Sequence, residues 1–251
     1  FITHEIRTPL TLIKAPLEKI LRSGDGTPAT QENLRIIEKN TGRLLDLSNQ
    51  LLDFRKTESQ GFRLNFAKCN ITEVLKETHV RFTSLAKQKG LEFTLQVPEK
   101  DFYAHVNQEA FTKIISNLLN NGMKYAESYV HVMLEIPETD DDNLFRIRTV
   151  NDGVIIPDEM KEEIFKPFVR FNEQEDGKVT TGTGIGLALS RSLAELHQGT
   201  LAMETGEESN IFCLTLPVVQ DMTITLTPEA EVEIDRVNEI PAEQAGRKDN
   251  R

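Results

Sequence analysis

Tryptophan is absent from the 251 residues, aromatic side chains occupy 6% of them, and only two cysteines are present. Two cysteines make no disulfide framework, and neither Cys69 nor Cys213 belongs to a C-x-x-C pair or a histidine-rich neighbourhood. A secreted, disulfide-stapled scaffold and a zinc site are both disfavoured, and a reducing compartment is favoured. No run of about 18 apolar residues occurs, so no segment reads as a bilayer-spanning helix. Positive charge is scarce as well: 29 Lys and Arg against 40 Asp and Glu give a net charge of -11. That balance leaves no basic footprint for nucleic acid or an anionic membrane surface, and no nucleic-acid partner is expected of this fragment.

What is present is a chain that is 38% hydrophobic and long enough for one large or two modest domains. In its first segment Ile6, Leu10, Ile13, Leu17 and Ile20 alternate spacings of four and three, a heptad seam on a helix. Gly24, Gly26 and Pro28 break the pattern. Thr30 and Asn33 stand where a second helix would be capped, and Leu34, Ile37, Thr41, Leu44, Ser48 and Leu51 repeat the spacing to about Thr57. An antiparallel helical hairpin is thus predicted over residues 1–60. A hairpin alone cannot bury both seams, and Leu45, Leu52 and Phe54 add a further apolar face. A four-helix bundle made by two chains is expected, with packing of the hairpin on the chain's own second domain as the alternative. Because Phe1 already lies inside the helical pattern, a longer parent protein is expected, reaching the membrane only through a missing upstream segment.

From Gly61 the period changes. Helices are predicted from Ile71 to Gly90, from Gln108 to about Gly122 and from Ile185 to Leu196. Strands are predicted over Leu91–Val97, Phe102–Val106, Tyr129–Ile136, Leu144–Val150, Thr200–Glu204 and Asn210–Leu216, with the acidic turn Asp140–Asp142 joining two of them. The order implies an α+β sandwich over 61–217, a mixed sheet with helices on one face. The residues 218–251 read as a solvated acidic linker or tail, with only Thr223–Leu226 resembling a strand.

The chemistry-bearing residues fall in three places. His4 stands in H-E-I-R-T-P-L, and with Ile6 and Leu10 in the seam its imidazole falls on the solvent-facing flank. Thr8 shares that helical face, Glu5 stands beside it, and Pro9 removes a backbone hydrogen bond and bends the helix there. The second place is N-L-L-N-N-G-M-K-Y-A, where Asn117 and Asn121 share a helix face and Lys124 lies one turn on. Neutral oxygen ligands beside a cation suit a triphosphate that brings Mg²⁺. A plain helix end with Asn and Gly is the alternative. The third is G-T-G-I-G-L, Gly182 to Leu187, where glycines and a helix start offer backbone N–H groups to phosphate. Before it, I-F-K-P-F-V-R-F supplies phenylalanines to anchor a lid over Asn172–Thr181 and Arg170 to point at phosphate. There is no G-x-x-x-x-G-K-[ST] and no dinucleotide fingerprint.

H-E-I-R-T-P-L on a heptad hairpin resembles the phosphoacceptor box of the sensor histidine kinases of two-component signalling. The resemblance implies that His4 accepts a phosphoryl group, Glu5 accepts the imidazole proton, and Thr8 positions water for the reverse, phosphatase-type reaction on a partner. The later boxes resemble the nucleotide-binding boxes of the same kinases, in the ATP-binding GHKL (Bergerat-type) α/β sandwich shared with gyrase, Hsp90 and MutL. They imply that ATP and Mg²⁺ are the cofactors, that Asn121 holds the metal, and that Asn117 and Lys124 contact phosphates. Tyr125 would lie near the base or sugar, and Gly182, Thr183, Gly184, Gly186 and Leu187 would cradle phosphate. The whole would be the cytoplasmic portion of an inner-membrane sensor, acting as a homodimer and passing phosphate from His4 to an aspartate of a response-regulator receiver domain, in cis or in trans.

One box departs. The family reads D-x-G-x-G-I-P, and this chain has N-D-G-V-I-I-P from Asn151 to Pro157. Aligned on Gly153, Asn151 stands where the family's adenine-reading aspartate would be, and Ile155 replaces a glycine. An uncharged amide makes the weaker bond, and Asp152 is turned away by strand alternation. A nucleotide-poor dimeric scaffold is the alternative. A dedicated ATPase is disfavoured, because Asn117 stands where that class places its glutamate base.

Overall fold

A computed structural model describes residues 10, 13–14, 17–18, 20–22, 27–59, 64–139, 142–171, 183–206 and 208–220. His4, Glu5, Thr8, Gly182, the whole of the expected lid Asn172–Thr181 and the chain beyond Gln220 lie outside these residues. All the described residues belong to one compact unit, Phe1–Gln220.

The described positions of the first segment, among them Leu10, Ile13 and Leu17, are helical. Helix α1 runs over Pro28–Glu58, with Thr27 as its cap accepting from the Thr30 N–H. Pro28, expected in the break, is the first helical residue, where its missing N–H costs nothing and its fixed φ suits the helix. The seam is split. Leu17, Thr41 and Ser48 are buried, whereas Ile13, Ile20, Ile37 and Leu44 are 44–49% exposed. Further down α1, Leu47, Leu51 and Phe54 pack on the core of the second domain. The hairpin's apolar surface is thus shared between a face turned to the α/β layers and a face left open in the single chain.

The second domain begins with β1 (Ala67–Asn70), a strand absent from the sequence prediction, which pairs antiparallel with β3 (Tyr103–Val106). Between them come α2 (Ile71–Lys89) and β2 (Glu92–Gln96). Asn70 caps α2 by accepting from Glu73 N–H, and Gly90 ends it at φ 69°, a left-handed stop that favours glycine. Helix α3 (Gln108–Tyr125) is capped by Asn107, and β4 (Tyr129–Glu135), β5 (Leu144–Asn151), α4 (Gly186–Leu196), β6 (Thr200–Thr205) and β7 (Asn210–Pro217) follow. The main sheet has the order β2-β4-β5-β7-β6, parallel only between β2 and β4.

Alternation decides which face the helices cover. Along β5, Phe145, Ile147, Thr149 and Asn151 are buried, while Arg146 turns to the open face and Arg148 pairs with Glu135 and Glu204 at 3.5 and 3.3 Å. Phe111, Ile114, Leu118, Leu189 and Leu193 from α3 and α4 meet Phe145, Ile147, Leu214 and Leu216 from the sheet in one core. His197, buried at the end of α4, joins the two helices: its Nδ1–H donates to the Leu193 carbonyl at 2.7 Å and its Nε2 accepts from Asn107 N–H at 3.1 Å. The chain stays attached past Pro217, with His105 N–H donating to the Val218 carbonyl at 2.8 Å and Gln220 buried.

Candidate nucleotide site

Three stretches far apart in sequence converge at one end of the helical layer. The first is the last turn of α3, where amides replace the aliphatic residues such a helix favours. Asn117 faces α4, and its Nδ2 donates to the Gly186 carbonyl at 3.3 Å and to Ser190 Oγ at 3.2 Å. One turn on, the Asn121 amide makes no hydrogen bond among the described residues. Lys124 folds back on its neighbour, its Nζ 2.5 Å from the Tyr125 hydroxyl and 4.3 Å from the ring centroid.

The second stretch is the end of β5 and the loop after it. Asn151 is 3% exposed and Thr149 1% exposed, both on the helix-facing side, and neither side chain is hydrogen-bonded among the described residues. Asp152 points the other way, as alternation predicts. It accepts from the backbone N–H groups of Glu127, Ser128 and Tyr129 and from the Ser128 hydroxyl. Burial pushes its carboxyl up, but these bonds outweigh burial and hold the pKa at about 2. Gly153 passes so close to Tyr125 that an added Cβ would meet its carbonyl oxygen at 2.0 Å. From β7, Asn210 supports the loop by accepting from Ile156 N–H at 2.9 Å and donating to the Val154 carbonyl at 3.0 Å.

The third stretch pairs the segment ending at Phe171 with the glycine turn. Arg191 of α4 stacks on the Phe165 ring at 3.7 Å, bonds Glu162 at 2.6 Å and donates to the Leu201 carbonyl at 3.1 Å. Phe165 is buried and Phe171 packs on the core, as expected of anchors. Phe168 differs: it is 63% exposed, at φ 66°. Its backbone N–H donates to the Gly184 carbonyl at 2.9 Å, and a Cβ on Gly184 would sit 2.8 Å from its Cα. The backbone contact, not the ring, uses this residue. Helix α4 then starts at Gly186 with no side chain capping its first turn, which leaves room for an anion there. Leu187 is partly buried against the core and Arg170 is half-buried.

The site touches α1. Thr183 Oγ1 donates to Gln50 Oε1 at 2.7 Å and accepts from Ile185 N–H. Nearby, Lys113 Nζ lies 3.0 Å from Asp53 and 2.8 Å from Glu109. Burial lowers the affinity of this ammonium for its proton, but the two carboxylates outweigh it and raise the pKa.

The end of α3, the Gly153 loop and the glycine turn are thus brought together, Asn117 meeting Gly186, Gly153 meeting Tyr125, and Asn121 and Lys124 lying on the same last turns of α3. Sequence reasoning missed Thr149, Asn210 and Gln50. Thr149 carried a usable signal, being two residues from Asn151 on an otherwise apolar strand face. Asn210 and Gln50 carried none. No cluster of three or more His, Cys, Asp or Glu side chains fit for a metal occurs among the described residues, and no helix among them is long and apolar enough to cross a membrane.

Comparison with known proteins adds two family models. That of the His Kinase A (phospho-acceptor) domain matches residues 1–60, and that of the histidine kinase-, DNA gyrase B- and HSP90-like ATPase matches residues 106–220. Histidine kinase P4 of Formosa agariphila is 34% identical over 220 residues, which make up 86% of this chain and 16% of that protein. Full-length ShkA, solved in complex with AMPPNP, shares the fold at a TM-score of 0.72 and 21% identity, over 86% of this chain and 44% of that one. The histidine kinase ThkA, solved with the response regulator protein TrrA, aligns at a TM-score of 0.61 and 23% identity, over 86% of this chain and 60% of that one.

Proposed function

Because the chain belongs to the sensor histidine kinases of two-component signalling, carrying their phosphoacceptor and ATPase domains, we propose that it transfers the γ-phosphoryl group of ATP to His4 and passes it on to a receiver aspartate. The chain spans 16% of the length of its Formosa agariphila relative. The division of labour is a phosphoacceptor hairpin over 1–60, a nucleotide-binding domain over 61–217 and an acidic segment over 218–251.

The observation that carries the proposal is the cleft itself. Two unengaged amides, Asn121 and Asn151, stand at the ends of α3 and β5, beside the Gly153 loop that abuts Tyr125 and the uncapped start of α4 that Asn117 contacts. Unpaired polar groups at the wall of a cleft are a ligand's contacts. The Asn121 amide oxygen fits a hard cation that completes its shell with phosphate and water. Mg²⁺ held there would supply positive charge against the phosphates as the β–γ bond opens.

This chain's residues do the rest by placement. An imidazole nitrogen of His4 forms the P–N bond while the bond from γ-phosphorus to the bridging oxygen breaks and ADP leaves. Glu5 takes the imidazole proton. Lys124 must leave the Tyr125 hydroxyl to reach phosphate, and the first turn of α4 with Gly184 and Gly186 offers backbone N–H groups. The imidazole is already a good nucleophile, so alignment and charge are what the site provides. The open apolar positions Ile13, Ile20, Ile37 and Leu44 support a homodimer, in which a second hairpin covers them.

Incubation with Mg²⁺ and γ-labelled ATP tests this. Label that is stable to alkali, lost in acid and absent from His4→Gln is expected. A chain that gains no label and behaves as His4→Gln does would leave the nucleotide-poor dimeric scaffold in its place. Phosphate release that survives His4→Gln would mark a plain ATPase.

A further inference from the structure

The floor of the cleft is built from side chains that both donate and accept. Asn151 and Thr149 stand two residues apart on the same face of β5, 3% and 1% exposed, and neither is hydrogen-bonded among the described residues. An amide whose polar atoms make no bond within the protein is open to a ligand that replaces water there. No side chain on residue 153 screens it, since a Cβ there would lie 3.1 Å from Asn151 Nδ2. The neighbouring carboxylate offers no alternative contact. Asp152 is on the opposite side of the strand, with its oxygens occupied by three backbone N–H groups and the Ser128 hydroxyl.

A primary amide carries its donor and its acceptor side by side, and a half-turn about its last bond exchanges them. The six-membered edge of a purine has the complementary pair in one of two orders. A 6-aminopurine presents a donor at the 6-position and an acceptor at N1. A 6-oxopurine presents an acceptor at the 6-position and a donor at N1. A carboxylate matches only the first at the 6-position, because it cannot donate. The Thr149 hydroxyl rotates just as freely.

We infer that Asn151 is a specificity-determining residue that relaxes the choice of base, so that the site takes 6-oxopurine triphosphates as well as ATP. The inference rests on the nucleotide-binding function proposed above and goes beyond it by naming the range of substrates.

Inosine triphosphate is the discriminating probe, since it differs from ATP only at the 6-position and N1. Displacement of trinitrophenyl-ATP from the whole chain by ATP and by inosine triphosphate is measured with Mg²⁺ present. The wild-type constants are expected to lie within about tenfold of each other, and Asn151→Asp is expected to widen the ratio at least about tenfold in favour of ATP, as loss of one matched donor at a buried contact does. Folding of the variant is checked by far-ultraviolet dichroism and melting, and the wild-type ratio stands whether or not the variant folds. A wild-type preference for ATP beyond tenfold overturns the inference, and so does a folded Asn151→Asp protein with an unchanged ratio. In both cases ATP still binds, so the kinase function is untouched. If neither nucleotide displaces the probe, that function fails first and takes the inference with it.

Discussion

Gln50 and Thr183, 133 residues apart in sequence, are joined by a hydrogen bond of 2.7 Å. The bond ties the phosphoacceptor hairpin's second helix to the glycine turn beside the cleft, and the Asp53–Lys113 pair supports it along the same face.

Removing that bond should be felt from both sides equally. Gln50→Ala and Thr183→Val are each expected to cost about 1 kcal/mol, and the double variant clearly less than their sum. Urea titration of the four proteins of the cycle measures the coupling. Additive losses would mean that the two side chains do not cooperate.

Gly153 allows no side chain. Gly153→Ala places a methyl group 2.0 Å from the Tyr125 carbonyl oxygen, backbone against backbone, with nothing flexible to yield. A loss of about 1–3 kcal/mol is expected from such overpacking. Nucleotide affinity should fall with it, because the displaced loop carries Asn151. Denaturation midpoints and nucleotide displacement check the two effects separately.

Arg191 holds the segment before the expected lid by a ring contact, a carboxylate pair and a carbonyl bond. Glu162 is exposed, so the ion pair contributes little, while the stack on Phe165 and the bond to Leu201 are better shielded. Arg191→Ala is expected to lower stability by about 1–2 kcal/mol. Limited proteolysis should then cut between residues 158 and 171 sooner than in the wild type. Arg191→Lys should not restore protection, since an ammonium cannot stack as a planar guanidinium does.

The protein should lose stability in mild acid. Burial depresses the pKa of His197 below its ordinary 6.5, against the opposing pull of its bond to the Leu193 carbonyl. The native state therefore keeps the ring neutral while the unfolded chain protonates, so stability is complete above about pH 6.5 and falls as the pH drops below it. The slope from this one group cannot exceed about 1.4 kcal/mol per pH unit. Asp152 adds a second loss at lower pH, between its ordinary 3.8 and its native value of about 2. Unfolding free energies from pH 4 to 8 should bend near pH 6.5, and His197→Phe should remove that bend.

The sheet was legible because its strands alternate sharply. Phe145, Ile147 and Thr149 sit inward while Arg146 and Arg148 turn out, and Gly90 announces the end of α2 by the conformation it permits. Strand β1 was not legible: Ala67–Asn70 is short, half exposed and held by pairing with β3, and pairing across such a distance leaves no periodic trace. Pro28 misled for a different reason, since the same ring that breaks a helix also begins one. At the site, the amides of α3 were visible as residues out of place on an apolar helix. Their division was not, because whether Asn117 turns to Ser190 while Asn121 stays unengaged depends on where α4 lies. Phe168 shows the same limit. Its exposure follows from a contact between two backbones, and composition says nothing about that.

The cleft's two rims are not equally stiff. On the base side, Asp152 is clamped by backbone groups and Gly153 is wedged against Tyr125, so that rim behaves as an anvil. Opposite it, Gly184 meets the neighbouring segment through one backbone bond to Phe168 and reaches the hairpin through the side chain of its neighbour Thr183. A twist of the hairpin that broke the Gln50 contact would therefore swing only the Gly184 rim, and in the proposed site that would leave the base seated while the triphosphate is re-aimed.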